Sequence, residues 1–478
     1  MIYVALCVSE AAILLALLCL YRAASYVDIF SFLQSRPGAL FLCSIFILTV
    51  SIIWSVQAIR SKELDKRKLA MDCAANFLML TLTAGSAEVG IRLLSVQSMQ
   101  VLTGESFLGL ALYPRKWTEV VAHYKAVLER TTRGHPFLIY DRILGWTVAP
   151  SHHSATGQDL SSAEGLRAPR IGMTFTDRQT RHSGLSTKPA SVRIALIGDS
   201  MTYGNEVRCE ESWGHALEVQ LGPEVQVLNF GVSGYGLNQV LLRYERDVRP
   251  WKPQFVIVGV NSQEIKRMLT IYKFLNSPNW SGFPYSRPRL VIKNGIPLHI
   301  NQPILPPTEI ISYSSIKDIP SIALDIMYHP LEWERDGLWY FLQKSYFFRF
   351  LSSTRPFRPS VESARQGLFD KEMIDLSQYV LSALVRQVRE DGSIPLVVHL
   401  PYQFELRKAA EIGNNYIPLS VQMLRNAGID PFDTTGCLLE AKATNEYMPG
   451  GHYSPKANAL IAKCLEPILR RELSRLNH

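Results

Sequence analysis

The stretch from Val192 to Gly204, VRIALIGDSMTYG, narrows the architectures open to this chain more than any other. An apolar, β-branched run of this length reads as a buried strand, and it passes directly into a tight Gly-Asp-Ser turn followed by a polar, glycine-containing segment. A serine so placed stands at the end of a buried element. There an α/β fold gathers its chemistry, because backbone N–H groups and side chains converge outside the carboxyl ends of the strands. Taken alone, Ser200 reads as readily as the cap of an ordinary strand-to-helix loop, and three later stretches bear on the choice.

A helix signal at Ser212 to Leu221 is followed by a second strand, Val225 to Phe230, which runs into NFGVSGYGLNQ, Asn229 to Gln239. Glycines at 231, 234 and 236 either let the backbone approach a bound group or form a flexible turn before the helix Leu237 to Asp247. A third strand, Phe255 to Val260, ends in Gly259-Val260-Asn261-Ser262. An asparagine amide at a strand's carboxyl end can donate to a developing oxyanion, or it can cap a turn. Much later, PGGHYSPKAN, Pro449 to Asn458, sets His452 just before a helix that begins near Pro455. The order is serine after the first strand, glycines after the second, asparagine after the third and histidine before the last helix. That order is far more specific than any one of the four signals.

In GDSMTYG, NFGVSGYG, GVNS and GGHYS the sequence resembles the SGNH (GDSL-type) hydrolase superfamily, whose four blocks carry Ser, Gly, Asn and His in this order. The resemblance runs from about Tyr140 to Leu476 and is closest to membrane-tethered members associated with modifying surface polysaccharides. It implies an α/β fold, a parallel sheet sandwiched by helices. It also implies Ser200 as nucleophile, His452 as its base, and an oxyanion hole formed by the N–H groups of Ser200 and Gly234 with the side chain of Asn261. Gly234 is preferred to Gly231 because it follows the serine of the N-x-G-x-S-G pattern. The family's aspartate, two or three residues before the histidine, is replaced here by Gly450 and Pro449. Glu446, Asp430, Asp433 or a backbone carbonyl is left to orient the ring, and a catalytically silent relative is the alternative. Ser262 also stands where an Asp often follows the asparagine.

The first hundred residues are of another kind. Ile2 to Tyr21, Ala39 to Ile59 and Leu69 to Leu94 are each long and apolar enough to read as transmembrane helices, since about 20 helical residues cross the hydrocarbon core. The first lacks the basic start and cleavage site of a signal peptide. Glu10 falls inside it, and Glu88 and Arg92 are spaced to pair on the third. The formal net charge of +8 invites a nucleic-acid reading, but no basic face interleaved with aromatics exists, and RSKELDKRK, Arg60 to Lys68, concentrates five basic residues between apolar runs. By the positive-inside rule that loop is cytoplasmic. Three spans then place everything after about Ser95 outside the inner membrane, on the periplasmic or extracellular side. The seven cysteines show no spacing of a zinc site or a disulfide framework, and the adjacent His152 and His153 point apart and make a poor metal pair.

The expected organisation is therefore a membrane anchor over 1–95, a lead-in over 96–190 that wraps the catalytic domain, and the catalytic domain over 191–478 with an insertion at about 268–365. The lead-in includes a helix near Trp117 to Arg130 and an exposed loop over Thr176 to Lys188. Asn294-Gly295 marks a hairpin in the insertion. Trp333 to Phe350 is rich in aromatics that either pack a core or stack on sugar rings. Helices at Lys371 to Asp391, Pro418 to Ala427 and Pro455 to Leu476 alternate with a strand at Ile394 to Leu400 and an extended run at Ile429 to Phe432. The function expected is a membrane-anchored serine esterase acting on acylated glycan, with no cofactor and no metal. The alternatives are an O-acyltransferase served by a membrane acyl-transfer partner, and a non-catalytic glycan-binding scaffold.

Overall fold

Five short, mostly apolar strands form the main sheet of the computed structural model, which describes residues 66–97, 105–108, 110–131, 136–276, 284–334, 341–354 and 361–476 together with 45, 46 and 49. They are β1 (Val192–Ile197), β2 (Val225–Asn229), β3 (Phe255–Val260), β4 (Ile394–His399) and β5 (Phe432–Asp433). All pair in parallel, in the order β5-β4-β3-β1-β2. Parallel strands need helical crossovers that cover both faces, which is why the central strands are predominantly hydrophobic.

The period of two along each strand sorts its side chains between two cores. Ala195 and Ile197 of β1, with Val256, Val258 and Val260 of β3, pack on one face against Leu237 and Val240 of α3 (Leu237–Arg243) and Leu376, Val380, Leu384 and Val388 of α5 (Val361–Glu390). Ile194 and Leu196, with Phe255 and Ile257, pack on the other against Trp213 and Leu217 of α2 (Trp213–Leu221) and Ile461, Leu465 and Leu469 of α9 (Pro455–Leu476). The remaining helices of the sheet unit that bear on the site are α1 (Ser200–Tyr203), α4 (Ser262–Arg267), α6 (Gln403–Ile412), α7 (Leu419–Asn426) and α8 (Thr435–Glu440). The strand order reverses between β1 and β3, one leading outward to β2 and the other to β4. A crevice forms outside the carboxyl ends of such a pair, and Ser200 and Asn261 follow these two strands.

The chain divides into two compact units. The sheet unit comprises Tyr124–Tyr313, Ile319–Ile326 and Gly367–His478, and the other comprises Met1–His123, Ser314–Asp318 and Met327–Gln366. In the sheet unit, Leu144, Trp146, Val148 and Phe175 from ahead of β1 join the first core. Thr176 to Lys188, expected as an exposed loop, instead buries Thr180, Arg181 and His182. Arg181 donates to the carbonyl of Pro223 at 2.7 Å, and the N–H of His182 donates to the buried carboxyl of Glu218 at 2.5 Å. Polar residues read as exposed only while their partners in sequence-distant segments are unknown. The predicted hairpin forms between Leu290–Lys293 and Ile296–His299, with Asn294 and Gly295 at φ 53° and 77°.

In the other unit, the helix Lys66–Leu94 ends in polar contacts. Glu88 pairs with Arg92 at 3.0 Å and also accepts from Ser345 Oγ at 2.9 Å and the Phe347 N–H at 2.8 Å. Glu105, half-buried beside the helix Tyr346–Ser353, takes both Arg349 and the Tyr346 hydroxyl. The aromatic run is used for packing, Trp333 against Trp117 and Phe350 against Phe107, whereas Phe341 is exposed. Among the described residues no helix is long and apolar enough to cross a membrane, and these include Lys66–Leu94, which covers the expected span Leu69 to Leu94 and carries charged residues such as Asp72, Glu88 and Arg92. The expected span Ile2 to Tyr21, all of Ala39 to Ile59 but residues 45, 46 and 49, Glu10, most of the basic loop Arg60 to Lys68, and Trp339 and Tyr340 lie outside the described residues.

One covalent link departs from the sequence reading. Cys437 on α8 and Cys464 on α9 form a disulfide, their Cα atoms 6.4 Å apart. Their separation of 27 residues fits no small-domain framework, because the pairing is made by the docking of two helices in a large core. Replacing both cysteines by serine should cost about 2–4 kcal/mol and lower the melting temperature by several degrees. Alkylation of denatured, non-reduced protein should leave both thiols unmodified, and ready alkylation would show that the bridge is absent.

Candidate active site

The Gly-Asp-Ser turn is built around Asp199, which is fully buried. One of its carboxylate oxygens accepts the Met201 N–H at 2.9 Å and caps α1; the other receives the guanidinium of Arg267 at 2.6 Å. The cap is therefore supplied by Asp199, which leaves the hydroxyl of Ser200 free of that role. Ser200 is 4% exposed and opens α1 directly beyond the carboxyl end of β1.

The glycine loop after β2 is zippered to this turn. Val232 N–H donates to the Gly198 carbonyl at 3.1 Å, and Asn205 Nδ2 donates to Ser233 Oγ at 2.9 Å. Asn229 bridges the two, its amide donating to the Thr202 carbonyl at 3.0 Å and its oxygen accepting from Gly231 N–H at 3.0 Å. A Cβ at Gly231 would lie 2.6 Å from the Tyr203 nitrogen, so only glycine allows this approach. Because the Gly231 N–H is committed to Asn229, the geometry favours Gly234 as the loop's donor. Gly234 turns the chain at φ 79°, and its carbonyl accepts from Arg287 at 3.5 Å. Segments ahead of β1 brace the loop from behind. Trp146 Nε1 donates to the Ser233 carbonyl at 3.0 Å, and the Tyr235 hydroxyl donates to the Trp146 carbonyl at 2.6 Å.

Asn261, fully buried, combines both roles its sequence position allowed. Its Oδ1 accepts the N–H groups of Gln263 and Glu264 at 3.0 and 3.1 Å, while the Glu264 carboxyl accepts the Asn261 N–H at 2.9 Å, a reciprocal cap for α4. These two donors fix which amide atom is oxygen. The nitrogen, Nδ2, is left buried without a hydrogen-bond partner among the described residues. An orphaned donor of this kind costs about 1–3 kcal/mol, and it stands at the carboxyl edge of the strand beside Ser200's own.

His452 is held by a residue that sequence reasoning missed. Its Nδ1 lies 2.5 Å from Oε2 of Glu206, which also accepts the His452 N–H at 3.2 Å, while Oε1 accepts the Gly450 N–H at 2.8 Å. Burial pushes the Glu206 carboxyl up, but the hydrogen bonds from His452 and Gly450 and the attraction of the ring outweigh it, and the group lies below the ordinary carboxylate range. With Nδ1 engaged, Nε2 is the nitrogen available to take a proton. The loop is anchored by the hydroxyls of Tyr447 and Tyr453, which donate to the Pro401 carbonyl at 2.9 and 2.8 Å, just past the carboxyl end of β4.

None of the carboxylates proposed from sequence holds His452. Glu446 accepts from Lys456 at 2.7 Å and from Ser454 at 3.0 Å, and Asp430 is exposed. Asp433 lies 4.0 Å from a different histidine, His399, whose Nδ1 is 2.9 Å from Ser420 Oγ. Burial lowers the pKa of His399, which belongs to the packing between β4 and α7. Two signals in the sequence bear on Glu206: a carboxylate six residues after the serine, and a glycine where the histidine's acid is expected.

Ser200, Gly234, Asn261 and His452 thus all lie on loops at the carboxyl edge of one sheet, three of them tied together by Arg267. This side chain, on α4, reaches Asp199 and, at 3.1 Å, the carbonyl of Tyr235.

No protein-family model matches the chain, and no curated protein matches it. Among solved structures it is similar to a protein of the G-D-S-L lipolytic family from Desulfitobacterium hafniense, with 16% identity over 58% of this chain and 99% of that one, at a TM-score of 0.28. It is similar also to a psychrotrophic esterase from Pseudoalteromonas, with 10% identity over 59% and 100% of the two chains and a TM-score of 0.30. An acetylxylan esterase from Geobacillus stearothermophilus shares 13% identity over 58% and 93%, with a TM-score of 0.30. At these scores the likeness is slight, and the functional reading rests on the site's own geometry.

Removing one partner of a buried ion pair leaves the other charge uncompensated, at a cost of about 3–5 kcal/mol. Arg267→Met should therefore lower the melting temperature markedly, and Arg267→Met combined with Asp199→Asn should recover part of the loss in a double-mutant cycle. Strictly additive losses would show that the pair is not coupled.

Proposed function

We propose that this chain is a serine esterase of SGNH type that acts on acylated glycan outside the cytoplasmic membrane, tethered by its apolar N-terminal stretches. The observation that carries the chemistry is the unpartnered, fully buried Nδ2 of Asn261 at the carboxyl end of the strand next to the one that presents Ser200. A donor fixed by its own oxygen's helix cap, and not spent on the protein, is what a tetrahedral oxyanion requires.

In the proposed reaction, Ser200 Oγ attacks the ester carbonyl carbon while its proton passes to His452 Nε2. The oxyanion is met by Asn261 Nδ2 and the N–H groups of Ser200 and Gly234. The carbon–oxygen bond to the sugar breaks, the alcohol takes the proton from His452, and an acyl-Ser200 intermediate remains. Water, deprotonated by His452, then attacks the acyl carbon; the bond to Ser200 Oγ breaks as His452 returns that proton to it, and the free acid and serine result. Glu206 holds the ring in the tautomer that puts the free nitrogen toward the serine.

The glycan substrate is supported by the resemblance of the four motifs to members associated with modifying surface polysaccharides. The outer compartment is supported by the Cys437–Cys464 disulfide, since such bonds persist in oxidising environments, and the tether by the apolar sequence of Ile2 to Tyr21 and Ala39 to Ile59.

Labelling of the detergent-solubilised protein with a fluorophosphonate, read by peptide mass spectrometry, should place the adduct on Ser200 and lose it in Ser200→Ala and His452→Ala. A folded protein that takes no label would overturn the esterase reading. On p-nitrophenyl acetate, Asn261→Asp should lower kcat roughly 10²- to 10³-fold while keeping the α4 cap and the melting temperature. Asn261→Ala, which loses the cap as well, should also cost about 1 kcal/mol of stability. Equal activity of Asn261→Asp and wild type would remove Asn261 from the oxyanion hole.

A further inference from the structure

A Cβ built on Gly450 would lie 2.5 to 2.6 Å from both oxygens and the carboxyl carbon of Glu206. The carboxylate thus fills the space that a side chain at position 450, two residues before His452, would enter. Gly450 is not in the left-handed backbone region, in contrast to Gly451 at φ 92°, so its glycine is not explained by conformation. It is explained by occupancy. Glu206, in turn, holds φ 67°, an uncommon choice for a residue with a side chain, and is kept there by contacts at both ends. Its own carbonyl accepts from Gln158 Nε2 at 2.7 Å, while its carboxylate takes the Gly450 N–H, the His452 N–H and the His452 ring.

We infer that the acid of the Ser-His-acid arrangement has moved from the segment before the histidine to the loop after the serine, making positions 206 and 450 an exchangeable pair in which one must be small when the other carries the carboxylate. Glu206 is a positioning residue: it touches neither the ester nor the attacking oxygen, and acts through His452. This inference rests on the esterase reading of the same site. Two consequences separate it from a merely structural contact. The carboxylate acts on turnover rather than on substrate affinity, because it orients the base and stabilises the charge that develops on the ring. It is also replaceable from position 450, because the space there is already shaped for a carboxylate.

The test uses the full-length, detergent-solubilised chain, with p-nitrophenyl acetate turnover and the rate of fluorophosphonate labelling at Ser200 as paired readouts and thermal unfolding as the check of folding. Glu206→Ala and the near-isosteric Glu206→Gln should each lower kcat roughly 10²- to 10⁴-fold, with KM within about threefold and labelling slowed in step. Glu206→Gln carries the comparison if the alanine variant does not fold. Glu206→Ala combined with Gly450→Asp should regain at least about tenfold in kcat over Glu206→Ala alone. Gly450→Asp with Glu206 still present should lower the melting temperature, since two carboxylates would compete for one space. Wild-type kcat and labelling in a folded Glu206→Gln variant would overturn the positioning role while leaving the esterase reading intact. A double variant no faster than Glu206→Ala would overturn the exchange, and a wild-type protein that never labels at Ser200 would overturn both readings.

Discussion

The contact between Arg267 and Asp199 holds the site together more than any other. Asp199 has no access to water, and the guanidinium that neutralises it comes from the helix that begins at Asn261. The same side chain reaches the Tyr235 carbonyl in the glycine loop. One ion pair therefore joins the loops after β1, β2 and β3, which carry the serine, the glycine and the asparagine. Such a pair gives little net stability against an apolar substitute, because both charges are taken out of water. Its value is geometric, since neither loop can drift without leaving a buried charge unpaired.

Around that pair most of the polar groups are spent on the fold. Asp199 caps α1, Glu264 and Asn261 cap each other at α4, and Asn229 ties the glycine loop to the serine turn. Each satisfies a backbone group that would otherwise be buried without a partner. The amide nitrogen of Asn261 has no partner among the described residues, although its oxygen and backbone N–H are both engaged. A protein keeps such a cost where a ligand will meet it, and the oxygen's two backbone donors prevent the amide from flipping to relieve it. Burial and the nearness of Asp199 raise the pKa of the Glu264 carboxyl.

Much of the framework was legible in the sequence because local pattern and tertiary role agree. β1 and β3 alternate between two cores, and the spacing of Leu376, Val380 and Leu384 places all three on one core face of α5. The places of the four motif residues at the sheet's carboxyl edge were legible for a related reason: each follows a strand or precedes a helix whose end the pattern locates. What could not be read was contact between segments distant in sequence. Glu206 meets His452 across 246 residues, Cys437 meets Cys464 through helix docking, and Thr180 to His182 are buried by partners in α2 and β2. Proximity in sequence points to carboxylates near the histidine and away from Glu206. Asp433 and Glu446 satisfied that guide and serve other partners.

In the proposed reaction, the position of Glu206 changes how the site is assembled. With Ser200 and Glu206 six residues apart on one loop, two of the three groups are placed by a single short segment held at Asp199, Asn229 and Gln158. The histidine is the only member brought from elsewhere. Its loop is fixed at one end by Glu206, which holds two backbone N–H groups as well as the ring, and at the other by two tyrosine hydroxyls sharing the Pro401 carbonyl. An acid adjacent to the histidine would orient the ring but would leave its loop free to shift relative to the serine. An acid on the serine's loop fixes ring orientation and loop position with the same carboxylate, and the glycine at 450 is what makes room for it.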